Sequence, residues 1–359
     1  MAPDSCRSDA SDLYLQFFDI IFRLICSFHG LRSGFQNLRR VSLMFWLAMT
    51  IITPFALIID IGYYFQKRIS FSEFTTAMET STIAVSSFIA TGTFIFKHSA
   101  VEALLDRKPH RNLEYTVLPI VSCALLFSST ISLTLGVGNS DYTFVSVVFM
   151  ILDFSRAAFL MIHTDVISIL IQELERLHES VEQKRVDWPS LLLEKLEIRR
   201  RIRKVNSCFA FPLSLFYIQQ FILLSSVVGK VVDGITPSFG RALLTGSSIA
   251  FMAQELMIAR KASQLSSRSM GTEFVILERV WNDPDLQFTG QRLDALNIFR
   301  FREEWDCLKV ACFTLNLSSF LKSLSTMVLC MAVVLQFDYK VSHSITTLAG
   351  SPPTGRSLA

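Results

Sequence analysis

Seven times along the chain, a run of about 20 or more mostly apolar residues is bounded by charges or turn residues. That is the length a helix needs to cross roughly 30 Å of hydrocarbon. The runs lie at about residues 41–65, 75–96, 115–137, 142–171, 206–232, 239–258 and 310–337. The first reads VSLMFWLAMTIITPFALIIDIGYYF, and the second ends at Lys97 and His98. A soluble core of 359 residues would not need so much apolar sequence: 51% of the chain is hydrophobic and only 18% is charged, against roughly 25% charged in ordinary soluble domains. Inside hydrocarbon every backbone N–H and C=O must be bonded within its own segment, so such runs form helices. The expected fold is therefore all-α, a polytopic seven-transmembrane helical bundle.

Orientation follows from the Lys and Arg residues, which are retained in the cytosol. Of the 34, twenty-five lie in the N-terminal segment and in the loops after the second, fourth and sixth runs; five lie in the alternate loops and the C-terminal tail. The remaining four, Arg156, Arg241, Lys309 and Lys322, fall in or at the edges of runs. This asymmetry puts the N-terminus in the cytosol and, after seven crossings, the C-terminus outside the cell, in a multi-pass protein of the plasma membrane. The start, MAPDSCRSDASD, has no basic lead into a short apolar core, so no removable signal peptide is expected. The expected divisions are a cytosolic segment at 1–40, six spans over 41–258 with a cytosolic extension at about 172–205, a cytosolic helical loop at 259–309, the last span at 310–337 and an extracellular tail at 338–359. The arrangement is the inverse of a G-protein-coupled receptor, and neither an Asp-Arg-Tyr after the third run nor an Asn-Pro-x-x-Tyr in the seventh is present.

The segment 172–204 is rich in helix formers and pairs acids with bases at helical spacing, so the fourth and fifth helices are expected to continue below the membrane, with Trp188 and Pro189 at the turn. For the run Arg199, Arg200, Arg201, Arg203 and Lys204 two readings stand: an anchor at the lipid headgroups, or a specific phosphoinositide site. Between 263 and 306 the apolar positions Phe274, Leu277, Val280 and Trp281, then Leu293, Leu296, Phe299 and Trp305, repeat at helical spacing. They must be covered by the rest of this chain, by another subunit, or by both.

Polar groups inside spans are costly and worth locating. The fourth run carries Asp153, Arg156 and His163 on one helical face, with Asp165 nearer the cytosol. An Asp153–Arg156 ion pair between helices and the polar wall of a binding cavity are both open, and His163 reads as a packing residue. Tyr217, Gln219 and Gln220 lie at mid-depth in the fifth run, where they suit either a hydroxylated or heterocyclic ligand or hydrogen bonding between helices. Along the last run, Ser318, Lys322, Ser325, Leu329, Ala332, Val333 and Gln336 share an arc of about 100°. Such a stripe faces either other helices or water, and copies of it around an axis would line a pore.

The last run also carries a resemblance. Gln336 and Phe337, preceded by the apolar Met331, Ala332, Val333, Val334 and Leu335, resemble the C-terminal hallmark of the insect gustatory receptors, relatives of the insect odorant receptors. That hallmark is Thr-Tyr, five mostly hydrophobic residues, then Gln-Phe; here Leu329 and Cys330 stand at the Thr-Tyr positions. The resemblance implies a tetrameric, ligand-gated, nonselective cation channel that detects taste compounds. Its pore would be formed by the last span, its gate by Leu329, Ala332, Val333, Gln336 and Phe337, and its ligand cavity by the outer part of the bundle.

Other classes are disfavoured. No Gly-rich phosphate loop, H-E-x-x-H or nucleophile elbow occurs, so no enzyme is expected. The seven cysteines show no metal spacing, and no metal or cofactor is expected. A net charge of +3 gives no reason to expect nucleic acid. A secondary transporter remains an alternative, though no repeated halves with broken spans are visible.

Overall fold

A computed structural model of the chain describes residues 36–65, 71–105, 140–183, 188–232, 239–282, 307–310 and 313–349, together with 118, 121, 124, 125 and 128. The elements are α1 (Gln36–Phe65), α2 (Phe71–Phe96), α3 (His98–Leu104), α4 (Ser140–Glu182), α5 (Trp188–Val232), α6 (Phe239–Asn282), the two-residue strands β1 (Lys309–Val310) and β2 (Phe313–Thr314), and α7 (Leu317–Ala349). The five isolated residues between 118 and 128 are helical too and mark the third expected span. The remaining helical pattern between 293 and 305 lies outside the described residues. Two compact units are distinguished, residues up to Leu317 and residues from Ser318 on.

The outer faces of α1 and α2 are more apolar than those of a protein in water. On α1, Met44, Leu47, Ile51, Phe55 and Ile58 form an exposed stripe, while Trp46, Met49, Thr53 and Ala56 are buried. On α2, Val85, Phe88 and Phe96 are exposed, while Ala84, Ser86, Ser87, Ala90 and Thr91 are buried. Small and hydroxylated residues let helices approach closely and bond across their interface, which is how helices associate in lipid. The Thr91 and Ser155 hydroxyls do this at 2.8 Å between α2 and α4. Large apolar side chains on the outer faces would be costly against water and are at home against acyl chains. Among the described residues, Met150–Glu182 is by itself long and apolar enough to cross a bilayer; Met44–Ile58 and Leu317–Cys330 are shorter apolar stretches of longer helices.

Helices α4, α5 and α6 are long, at 43, 45 and 44 residues. Each runs unbroken from its expected span into the expected cytosolic extension, and Trp188 and Pro189, expected at the turn, are instead the first residues of α5, where a proline needs no N–H partner. Proline interrupts the backbone bonding of α5 once, at Pro212, which has no N–H for the Cys208 carbonyl. Beyond the bilayer the three extensions are joined by charge. Lys195 and Arg199 both reach Glu273 Oε1 at 3.1 Å, and all three side chains are buried. Arg201 pairs with Glu173 at 2.5 Å, and Lys261 donates to the Ser168 hydroxyl. The headgroup reading of the basic run is thereby corrected for Arg199 and Arg201. They hold α5 to α6 and α4, while Arg200, Arg203 and Lys204 remain exposed.

The last expected span begins differently from its sequence. Strands β1 and β2 pair antiparallel as a hairpin, Lys309 opposite Thr314 and Val310 opposite Phe313, and the helix starts at Leu317. Asn206 of α5 explains why. Its amide nitrogen donates to the Cys307 carbonyl at 2.9 Å, and its amide oxygen accepts from the Lys309 N–H at 2.8 Å, so backbone that a helix would satisfy internally is satisfied by α5. At the other end α7 continues past Phe337 to Ala349.

Candidate functional site

Three of the polar residues singled out in the fourth and fifth runs, Arg156, Tyr217 and Gln220, meet at Glu255 of α6, which the sequence reading did not single out. Arg156 of α4 is buried, and its guanidinium lies 3.5 Å from the carboxylate of Glu255 on α6. The same guanidinium sits 4.2 Å from the Phe251 ring centroid and 5.3 Å from that of Phe216. A delocalised, weakly hydrated cation is well suited to such an aromatic slot. The structure pairs Arg156 with Glu255; the side chain of Asp153, the partner weighed from the sequence, lies outside the described residues.

One amide, Gln220, adjoins this pair, and two more are buried on α5 and α6. Gln219 accepts a hydrogen bond from the Ser86 hydroxyl of α2 at 2.8 Å, and Gln220 lies beside the Glu255 carboxylate. Gln254 is buried one residue before Glu255. The amide group of Gln254 and the Nε2 of Gln219 have no hydrogen-bond partner among the described residues. Each such group costs about 1–3 kcal/mol unless water or a ligand reaches it. Helices α4, α5 and α6 thus bring a cation, an anion and an amide together inside the bundle, groups that offer both donors and acceptors.

Tyr217 lies close enough to Glu255 to interact with it electrostatically and also reaches the chain beyond α6. It is buried, and its ring meets that of Phe313 edge-on at 5.9 Å. It thus ties α5, next to the amides, to the hairpin that leads in sequence into α7. His163 packs against Phe209 at 4.7 Å, as a packing residue should. Glu255 and Gln254 were missed, although their position was informative: two strongly polar residues inside the apolar run 239–258 fit the same criterion that picked out Arg156.

On α7 the positions Ser318, Lys322, Ser325, Leu329, Ala332, Val333 and Gln336 are all exposed. The Phe337 side chain lies outside the described residues. Among the described residues no group of three or more His, Cys, Asp or Glu side chains could hold a metal ion.

No protein-family model matches the sequence, and no curated protein matches it. The architecture does have counterparts. The insect olfactory receptor OR5 from Machilis hrabei superposes with a TM-score of 0.67 at 13% identity, over 90% of this chain and 99% of that one. The same receptor in complex with eugenol gives 0.62, at the same identity and coverage. This chain has the fold of those receptors. The all-α bundle of seven membrane-crossing helices is thus the fold as well as the expectation, with α1, α2, the helical positions at 118–128 and α4 to α7 as its seven members.

Proposed function

We propose that this chain is a subunit of a ligand-gated, nonselective cation channel of the insect chemoreceptor kind, in which a small molecule bound within the helical bundle opens a pore lined by α7. The observation that carries the reading is the likeness to OR5 over nine-tenths of the chain. The exposed stripe from Ser318 to Gln336 supports it, because a single helix cannot enclose a pore and copies must supply the other walls. A tetramer, of this chain alone or with a related one, is the assembly proposed.

Leu329, Ala332, Val333, Gln336 and Phe337 are assigned to the gate region; Arg156, Gln219 and Gln220, with Glu255 and Gln254, to the ligand site. Asp153 is kept as a ligand candidate from the sequence. Tyr217 is assigned to coupling through Phe313 as well as to the site. The Gln336–Phe337 pair favours a gustatory receptor whose ligand is a taste compound. The eugenol complex of OR5 favours an odorant receptor equally. Recording from cells that express the chain, against panels of tastants and odorants, separates the two. In a responding cell, Gln336→Ala is expected to change ion selectivity or the ligand concentration for half-activation several-fold. Unaltered permeation and gating in that variant would remove α7 from the pore.

A further inference from the structure

A groove of about 380 Å³ opens between α1 and α2, with Leu152 of α4 at its base; it includes none of Arg156, Glu255, Gln219, Gln220 and Gln254. Its floor is Trp46, Met49 and Leu152, its walls include Phe88 and Phe96, and Gly92 leaves it room. A Cβ at Gly92 would meet Phe96 at 3.9 Å, so a larger side chain there would occupy the space. Three threonines line it, yet none offers its hydroxyl. Thr53 donates to the Met49 carbonyl, Thr93 to the Ile89 carbonyl, and Thr91 to the Ser87 carbonyl while also meeting Ser155. Each donation stays within its own helix, so the groove is lined by apolar groups along its length.

The exception is at one end. Lys97, exposed, follows the last residue of α2, and its ammonium donates to the Ser207 carbonyl of α5. Lys204 is a second exposed cation near the same point, close enough to act electrostatically on Cys208 together with Lys97. By the charge asymmetry of the loops this end lies at the cytosolic headgroup level. Exposed Leu47, Phe88 and Phe96 leave the groove open towards the bilayer.

We propose that the groove binds an anionic phospholipid of the cytosolic leaflet, one acyl chain lying between α1 and α2 over Trp46 and the headgroup phosphate resting on Lys97. The match is one of chemistry: a long site without free polar groups, and a cation at the end where the headgroup lies. The proposal rests on the proposed orientation of the chain but not on its channel activity, so its test uses no current.

Trp46 reports on the groove directly. Full-length protein is reconstituted into vesicles containing dibrominated phosphatidylglycerol or dibrominated phosphatidylcholine, and tryptophan quenching is measured. The same measurement on Trp46→Phe subtracts Trp188, Trp281 and Trp305. The Trp46 signal should show about a fivefold preference for the anionic lipid. Lys97→Gln should bring that ratio close to one, and Gly92→Leu should reduce quenching by both lipids while the helical content stays unchanged. Equal quenching by both lipids in the native chain, or a ratio that survives Lys97→Gln, overturns the proposal. So does an absence of quenching by either lipid, which is the outcome if another copy of the chain covers the groove. A channel without currents but with the fivefold preference would remove the proposed function and leave this site standing.

Discussion

Arg156 and Glu255 oppose each other where water is excluded, and neither is tolerable there alone. Breaking a buried pair strands a charge, which typically destabilises by about 3–5 kcal/mol, whereas replacing both partners with apolar groups of similar volume is often neutral. Arg156→Met is therefore expected to lower the thermal unfolding temperature of the purified protein sharply, and Arg156→Met with Glu255→Leu should recover much of the loss. A double variant as unstable as the sum of the singles would show that the two groups are not coupled. Lys261 offers a second test, in the cytosolic extension of α6. Burial lowers its amine to about 8 from 10.5, partly opposed by Asp165. Between those values the unfolded chain binds more protons than the folded one, so stability should rise with pH from about 8 to about 10.5. That rise should shrink in Lys261→Met. At this scale the sequence exposed half of the site. Arg156, Gln219 and Gln220 stood out as polar groups in apolar runs, but the choice between Asp153 and Glu255 as partner depends on which helices become neighbours, and spacing within one helix carries no such information.

The cytosolic extensions of α4, α5 and α6 were legible because their acid and base spacings match the helical period. What each basic residue does was less so. Lys195, Arg199 and Ile202 recur at i, i+4 and i+7 and turn one way, towards Glu273 and the bundle, while Arg200, Arg203 and Lys204 turn to solvent. A run of like charges in the sequence thus divides between two environments in the helix. The same division on α6 buries Ile276 and Val280 and leaves Met270, Phe274 and Trp281 exposed at helical spacing. One face of this segment is thus packed within the chain, and the other is proposed to meet a neighbouring subunit. Phe274→Asp is expected to lower the tetrameric fraction in native mass spectrometry with little effect on monomer unfolding, because the side chain is 69% exposed. An unchanged oligomer distribution would place the subunit contact elsewhere.

For the whole molecule, apolar run length and charge asymmetry were enough to give the helical class and a direction through the membrane. The start of α7 was not legible, since the hairpin of β1 and β2 is as apolar as a span and is stopped from being helix by Asn206, which lies far away in sequence. The direction has its own test: a C-terminal epitope should be labelled on intact cells and an N-terminal one only after permeabilisation, and the reverse result would invert every assignment of side. Pro212 gives the molecule a mechanical property as well. It divides α5 into arms of roughly 24 and 20 residues, about 36 and 30 Å at the helical rise. The longer arm is held to α4 and α6 by Glu173 and Glu273; the shorter one carries Tyr217, Gln219 and Gln220. Gln219 and Gln220 lie seven and eight residues beyond Pro212, about 11 Å, so a rod pivoting at such a fulcrum would return their displacement in the opposite sense and about threefold larger at the far end of the longer arm, and the cytosolic assembly would feel a ligand without touching it.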